Sequence, residues 1–275
     1  MNTSSQTNNT YTSSIEEKTI MYTIGIDAGS RNTKFCLFDT KNHRVCYTQI
    51  QDTTNKHDAQ LESFIKKIKI EKNINTEQIK DIITTGYGRK KYENTTRTSS
   101  EILCHARGTY FYNPEIATII DIGGQDSKII KTTKNARVMD FLMNDKCAAG
   151  TGRFLEKVAK FFEVEVISLG LMDDRADKDI EISSTCVVFA ESEMIGLIAK
   201  GETKENIIKA IHNSIAHRIL SMGINIEKPV AFVGGVAKNT GMVNAIKRYL
   251  NANIYIPPLP EFTGAIGAAM YTKKV

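Results

Sequence analysis

Two glycine turns and two cysteines hold most of the chemistry that this chain of 275 residues offers. The turns read Asp27-Ala-Gly29-Ser30-Arg31-Asn32-Thr33-Lys34 and Asp121-Ile-Gly123-Gly124-Gln125-Asp126-Ser127-Lys128. In each, an aspartate ends an apolar run, glycine turns the chain, and a hydroxyl residue opens the next run. Glycine lets backbone N–H groups approach phosphate oxygens with no Cβ in the way. Aspartates at matching places in two such turns would face each other across a cleft and suit a hydrated Mg2+. A third element, Val233-Gly234-Gly235-Val-Ala-Lys238, falls between a predicted strand and a predicted helix, where a nucleoside could rest. One Asp-x-Gly after a strand is an ordinary hairpin turn. Two in matching positions, with a glycine pair in register, point to a polyphosphate site. Neither turn is a G-x-x-x-x-G-K-[ST] loop, and neither is a dinucleotide fingerprint, because the glycines link antiparallel strands.

Cys147 stands in Asn144-Asp-Lys-Cys147-Ala-Ala-Gly-Thr-Gly-Arg-Phe-Leu-Glu156, ahead of an amphipathic helix, and Cys186 stands in Ser183-Ser-Thr-Cys186-Val-Val-Phe-Ala-Glu191-Ser-Glu193, ahead of another. A thiolate at a helix N-terminus is stabilised by the free N–H groups and the dipole. A [4Fe–4S] cluster takes four thiolates. One chain offers two in similar settings, so a two-fold dimer would supply the set. Cys36, Cys46 and Cys104 lack such flanks and read as core or partly buried thiols. His105, in Cys104-His-Ala-Arg107, reads as helix packing rather than a metal ligand. An odd number of cysteines with no C-x-x-C argues against a disulfide framework.

Positioning these residues requires strands that end at the aspartates. Tyr22–Asp27, Thr33–Phe38 and Arg44–Ile50 predict an antiparallel meander. Leu61, Phe64, Ile65 and Ile68 form one apolar helical face. A strand over Ile79–Thr85 and a helix over Glu101–Tyr112, stopped by Asn113-Pro114, complete the unit. The pattern then restarts with strands over Ala117–Ile122, Ser127–Thr132 and Val138–Met143. A helix over Gly152–Phe162, a helical block from Val187 to Gly223, a strand over Pro229–Val233, a helix from Lys238, a strand over Asn253–Ile256 and a short helix over Gly264–Tyr271 follow. Two β-β-β-α-β-α units predict a duplicated α/β fold with a ligand cleft between two lobes. The expected division is a disordered tail over residues 1–20 and lobe I over 21–114, joined by the C-terminal helix at 261–275. Lobe II then covers 115–260. Met21 could serve as the functional start, and a transit peptide is disfavoured by glutamate and the absence of arginine in the tail.

The net charge of +5, with 24% charged and 41% hydrophobic residues, is ordinary globular usage. No basic block interleaved with aromatics suggests nucleic acid, and no apolar run reaches a membrane span. A soluble cytoplasmic protein is expected.

The two turns, the Gly234-Gly235 pair and the closing Gly264-Ala-Ile-Gly267-Ala resemble the actin/Hsp70/sugar-kinase ATPase superfamily. That resemblance implies two ribonuclease-H-like lobes closing on ATP, with the adenosine near Gly234 and Gly235 and a hinge helix at Gly264. Three longer strings narrow it: Asp-Ile-Gly-Gly-Gln-Asp at 121–126, Asn-Asp-Lys-Cys-Ala-Ala-Gly-Thr-Gly-Arg-Phe at 144–154, and Ser-Thr-Cys-Val-Val-Phe-Ala-Glu-Ser-Glu at 184–193. They look like the activators of 2-hydroxyacyl-CoA dehydratases, of the BadF/BadG/BcrA/BcrD type.

The narrower resemblance implies an oxygen-sensitive, ATP-hydrolysing homodimer around one bridging [4Fe–4S] cluster. Such a dimer takes electrons from a reduced ferredoxin or flavodoxin. It passes one low-potential electron to an iron–sulfur dehydratase, where a ketyl radical lets water leave. Carried over by position, Asp27, Gly29, Ser30, Arg31, Asn32, Thr33, Lys34, Asp121, Gly123, Gly124, Gln125, Asp126, Ser127, Glu156, Gly234, Gly235, Lys238 and Gly264 would surround ATP or ADP. Asp27 and Asp121 would hold Mg2+ through water, and Cys147 and Cys186 would hold the cluster. Gln125 and Glu193 would orient the attacking water or relay the nucleotide state. Arg31 departs from the small residues usual at its position. A phosphate contact and a solvent-facing side chain are both open to it, with solvent preferred. A small-molecule kinase of the same superfamily is the alternative, although no sugar-binding insertion stands out. A filament-forming actin relative leaves the two helix-initiating cysteines without a reason.

Overall fold

A computed structural model of the chain describes residues 21–183 and 186–271. The segment expected to be a disordered tail lies outside the described residues. Strands β1 (Tyr22–Ala28), β2 (Asn32–Asp39) and β3 (Arg44–Asp52) form the first meander. Helix α1 (His57–Lys72) then carries the chain to β4 (Ile79–Thr85), which pairs parallel with β1, and to the short β5 (Arg97–Thr98). Helix α2 (Glu101–Tyr112) leads to the second meander, β6 (Thr118–Ile122), β7 (Ser127–Thr132) and β8 (Val138–Asn144). Helices α3 (Gly152–Phe161), α4 (Ser168–Asp173), α5 (Val187–Ala199) and α6 (Lys204–Leu220) follow. The chain closes with β9 (Val230–Val233), α7 (Thr240–Leu250) and α8 (Thr263–Ala269).

The sheets run in the orders β3-β2-β1-β4-β5 and β8-β7-β6-β9, the same order in both halves. The predicted strand at Asn253–Ile256 reduces to a single parallel bridge between Tyr255 and Ala231, in the place that β5 takes beside β4. Pro257 and Pro258 follow at once and bring no N–H for a longer ladder. The predicted helical block is two helices. Gly201, at φ +85°, ends the first turn-off, and Thr203 caps α6 by accepting from the Asn206 N–H. Nothing in the sequence pattern announces β5 or α4, which are two and six residues long.

β1 and β6 lie in the middle of their sheets and are buried along their whole length, which explains their nearly continuous apolar runs. α1 presents Leu61, Phe64 and Ile68 to the first sheet, where Phe64 stacks on Phe35 at 4.9 Å between centroids. α2 serves both sheets. Cys104 packs with Ile83 and Ala268 on one side, and Ala106 with Ile119, Ile130 and Val233 on the other. α8 lies on the first sheet, with Ala265, Ile266 and Ala269 against Cys36 and Phe38. Among the described residues no helix is long and apolar enough to cross a membrane.

The contact between α2 and α8 has no spare room. A Cβ on Gly267 would collide with the Cys104 carbonyl. Gly267→Ala is therefore expected to lower unfolding stability by about 1–3 kcal/mol, the usual cost of overpacking. Chemical denaturation would measure it.

Candidate functional site

In each half an aspartate is the next-to-last residue of the first strand, and a glycine follows the last residue of the fourth. Asp27 pairs with Thr85 just before Gly86, and Asp121 pairs with Val233 just before Gly234. The two glycines have φ of +84° and +86°, and a Cβ on either would strike the Oδ1 of the aspartate in its own half. Left-handed backbone and close approach together leave glycine as the residue that fits. The duplication thus reaches the floor of the cleft.

The aspartates differ in their partners. Asp27 is buried with Lys34 Nζ 3.6 Å from Oδ2, and its Oδ1 has no hydrogen-bond partner. Asp121 is buried beside Lys128, whose Nζ donates to Oδ2 at 3.1 Å. The same ammonium lies 2.9 Å from Glu101 and 3.0 Å from Asp126 and is 1% exposed. Burial pushes the Lys128 ammonium toward losing its proton, but Asp121, Glu101 and Asp126 outweigh it and hold the proton more tightly than usual. Burial likewise lifts the Asp121 carboxyl, yet His105 and Lys128 together keep it below its ordinary range. For Glu101 burial wins over Lys128, and its carboxyl titrates higher than usual.

His105 donates from Nδ1 to Thr263 Oγ1 at 2.9 Å, because that hydroxyl gives its own proton to the Pro260 carbonyl. Its Nε2 lies 3.5 Å from Asp121, so His105 is packed in α2 and also faces the site. Glu101, His105 and Asp121 are close enough together to ligate a metal. Lys128 already supplies the positive charge there, which leaves the orphaned Asp27 oxygen as the better cation ligand.

Above this floor opens a cavity of about 340 Å3. Every residue assigned to the nucleotide by sequence lines it except Thr33, Gln125, Ser127 and Gly264. Thr33 and Ser127 are fully buried behind the wall, and Gly264 sits directly under Asp27. Sequence reasoning missed Glu101, Tyr87, Asn239 and Glu261, and the apolar wall of Ile50, Val166 and Ile167. Tyr87 had a signal, since it follows Gly86 as Gly235 follows Gly234. Val166 and Ile167 had none, because they lie in the irregular stretch between α3 and α4.

Arg31 does not face solvent alone. Its Nε donates to Glu156 Oε1 and its Nη1 to Asp52 Oδ1, each at 3.2 Å. Gln125 is exposed and lines a second cavity, of about 690 Å3, together with Lys146, Ala148, Val187 and Glu156. Glu193 does not line this cavity, and its Oε1 accepts from the Ser183 N–H and hydroxyl at 2.9 and 3.1 Å.

Burial separates the cysteines only in part. Cys36 and Cys104 are fully buried, and Cys46 and Cys147 are half-buried. Cys186 is exposed. Burial pushes the Cys36 and Cys104 thiols up, which suits inert core positions, and does the same to the half-buried Cys46. Cys186 is the N-cap of α5, as expected. Cys147 is not at the start of α3. It precedes a single 3-10 turn, Ala148–Gly150, and Thr151 is the N-cap of α3. Asn144 fixes the Cys147 loop from both sides, accepting from the Cys147 N–H and donating to its carbonyl, each at 3.0 Å. The first α3 amides are already engaged. Gly152 N donates to the Gly123 carbonyl and Arg153 N to the Gly124 carbonyl, both at 2.9 Å. The second glycine turn and the helix beyond Cys147 are therefore one hydrogen-bonded unit.

Two sheets of equal strand order, closing on a cleft floored by paired strand-end aspartates, are the duplicated ribonuclease-H-like lobes of the actin/Hsp70/sugar-kinase ATPase fold. The chain belongs to the BadF/BadG/BcrA/BcrD ATPase family, whose model matches residues 24–272. A 2-hydroxyisocaproyl-CoA dehydratase activator of Clostridioides difficile is 43% identical over 253 residues, covering 91% of this chain and 94% of the relative. The (R)-2-hydroxyglutaryl-CoA dehydratase activating ATPase of Acidaminococcus fermentans is 39% identical over 257 residues, 92% of this chain and 98% of the relative. A solved activator of the 2-hydroxyisocaproyl-CoA dehydratase from Clostridium difficile, with bound ADPNP, superposes with a TM-score of 0.85 at 42% identity. It covers 91% of this chain and 94% of its own.

Lys128→Met would leave Asp121 and its neighbours buried without a counter-charge and is expected to cost about 3–5 kcal/mol at neutral pH. The depressed Asp121 pKa contributes stability above its ordinary value of 3.8, lost as pH falls through the lower folded value. The difference between variant and wild type should accordingly shrink below pH 3.8, as read by urea unfolding across pH.

Proposed function

We propose that the chain is an ATP-dependent one-electron donor that activates a 2-hydroxyacyl-CoA dehydratase through a [4Fe–4S] cluster shared by two copies of the chain. The observation that carries this reading is the pair of hydrogen bonds from Gly152 and Arg153 to the carbonyls of Gly123 and Gly124. They join a phosphate loop directly to the segment that presents Cys147. The names of the relatives supply the acceptor class, and none of the chemistry in the cleft favours a sugar kinase.

ATP or ADP would lie with its phosphates between the Gly29–Ser30 and Gly123–Gly124 turns and its adenosine toward Gly234 and Gly235. Val166 and Ile167 offer an apolar surface for the base beside Asn239, whose amide reaches the Val166 carbonyl. The unpartnered Asp27 Oδ1 fits Mg2+ with its water shell, and Lys34 and Lys128 offset the remaining charge. Lobe I (21–114 with the C-terminal helix) and lobe II (115–260) would close on the nucleotide. Gln125 and Glu193 suit relay better than water activation. Gln125 borders the cavity where the two cysteine segments meet, and Glu193 holds Ser183, three residues before Cys186. Glu101, on the cleft floor with a raised affinity for protons, is the better acceptor for a proton from attacking water.

Cys147 and Cys186 fit a cluster, being two free and accessible thiols at the starts of helical segments. The cluster, when bound, supplies a single low-potential electron. Two thiols per chain call for a second copy, and α5 leaves Val188, Phe189, Ile195 and Ile198 exposed for one to cover. A reduced ferredoxin or flavodoxin in the cytoplasm of an anaerobic cell fits as the electron source.

Cys147→Ser and Cys186→Ser should each keep ADP binding, lose iron on anaerobic preparation, and fail to activate a 2-hydroxyacyl-CoA dehydratase in the presence of ATP and a reductant. Full activation by either variant would remove the cysteines from the account.

A further inference from the structure

Arg31 reaches from the first phosphate loop, in one half of the fold, to α3 in the other. Its Nε meets Glu156 Oε1 and its Nη1 meets Asp52 Oδ1, each at 3.2 Å. Among the described residues nothing bonds its Nη2. The loops touch at this point, since a Cβ on Gly124 would come 2.9 Å from the Arg31 Cβ. Both Arg31 and Glu156 line the nucleotide cleft, and Glu156 also lines the second cavity beside Lys146 and Val187, the neighbours of Cys147 and Cys186.

We infer that Arg31 is a latch between the halves that bound nucleotide displaces: without nucleotide it holds Glu156, and a triphosphate between the two loops takes its guanidinium and frees Glu156. This inference rests on the ATPase reading above and adds a regulation of that site.

The physical case has three parts. The guanidinium is 45% exposed and Glu156 38%, so water screens the pair and its contribution is small. A weak pair is a poor strut and is readily exchanged. A polyphosphate brings more charge than one carboxylate, and its oxygens match the planar fork that Arg31 still has open at Nη2. The freed Glu156 retains Arg153, 4.0 Å away on the same helix, so the exchange alters the charge pattern at the start of α3, where the second loop is clasped. An occupied cleft would thereby be reported to the cysteine side through one side chain, in addition to the backbone link.

Titration calorimetry of the anaerobic holoprotein with ADP and with the β,γ-imido analogue of ATP tests this. A carboxylate that competes for Arg31 lowers the apparent affinity by the fraction of molecules latched. Glu156→Gln should therefore tighten the analogue by roughly two- to five-fold, the range that an exposed pair supports. In an Arg31→Ser background the same substitution should change nothing. An unchanged or weaker affinity for Glu156→Gln would overturn the latch, as would an equal gain in the Arg31→Ser background, which would mean that Glu156 repels phosphate on its own. A wild-type chain that binds neither nucleotide would instead sink the ATPase reading, and the latch with it.

Discussion

The clasp between the second glycine turn and α3 is the constraint on which the rest depends. The carbonyls of Gly123 and Gly124 accept the first two amides of the helix, so that the N–H groups which a helix start normally leaves free are spent on this turn. A shift of that turn cannot leave the helix behind without breaking both bonds. Small adjustments of that turn would thus move a helix whose clasped N-terminal end is continuous, through the Ala148–Gly150 turn, with the Cys147 loop. Asn144 makes that loop equally stiff, gripping Cys147 by both of its backbone groups.

Beneath the clasp, Lys128 decides the electrostatics. One buried ammonium faces three carboxylates, from β6, α2 and the second loop. Desolvating such charges is expensive, and the pairing offsets it only because the geometry is short on every side. Its placement gives the two halves of the floor different characters. Asp121 is neutralised by a fixed side chain, while Asp27 keeps one oxygen unpartnered. A duplicated fold has thus become asymmetric at its centre, with an unpartnered carboxylate oxygen on the Asp27 side. α2 ties this floor to both sheets, and α8 locks against α2 through glycine contacts that tolerate no added atom.

Much of this was legible in the sequence, and the failures have physical causes. The strand-end aspartates, the glycine turns and the apolar faces are local patterns with fixed periods, so the duplicated topology follows from them. Fourth-strand glycines could have been read the same way, since Gly86 mirrors Gly234. Long-range pairs could not. Nothing near Arg31 in the chain announces Glu156, 125 residues away. Nothing near Glu101 announces Lys128. The setting of Cys147 was misjudged because Gly150, Thr151 and Gly152 allow the chain to make a separate 3-10 turn before α3 begins. Helix propensity does not fix such a boundary.

The central claim, that the nucleotide cleft governs the environment of the paired cysteines, is tested most directly by electron paramagnetic resonance. The measurement compares the anaerobic, reduced protein saturated with ADP and with a non-hydrolysable ATP analogue. The account predicts an iron–sulfur signal whose g-values differ between the two nucleotides. An identical signal with both, or no iron signal at all, would contradict it.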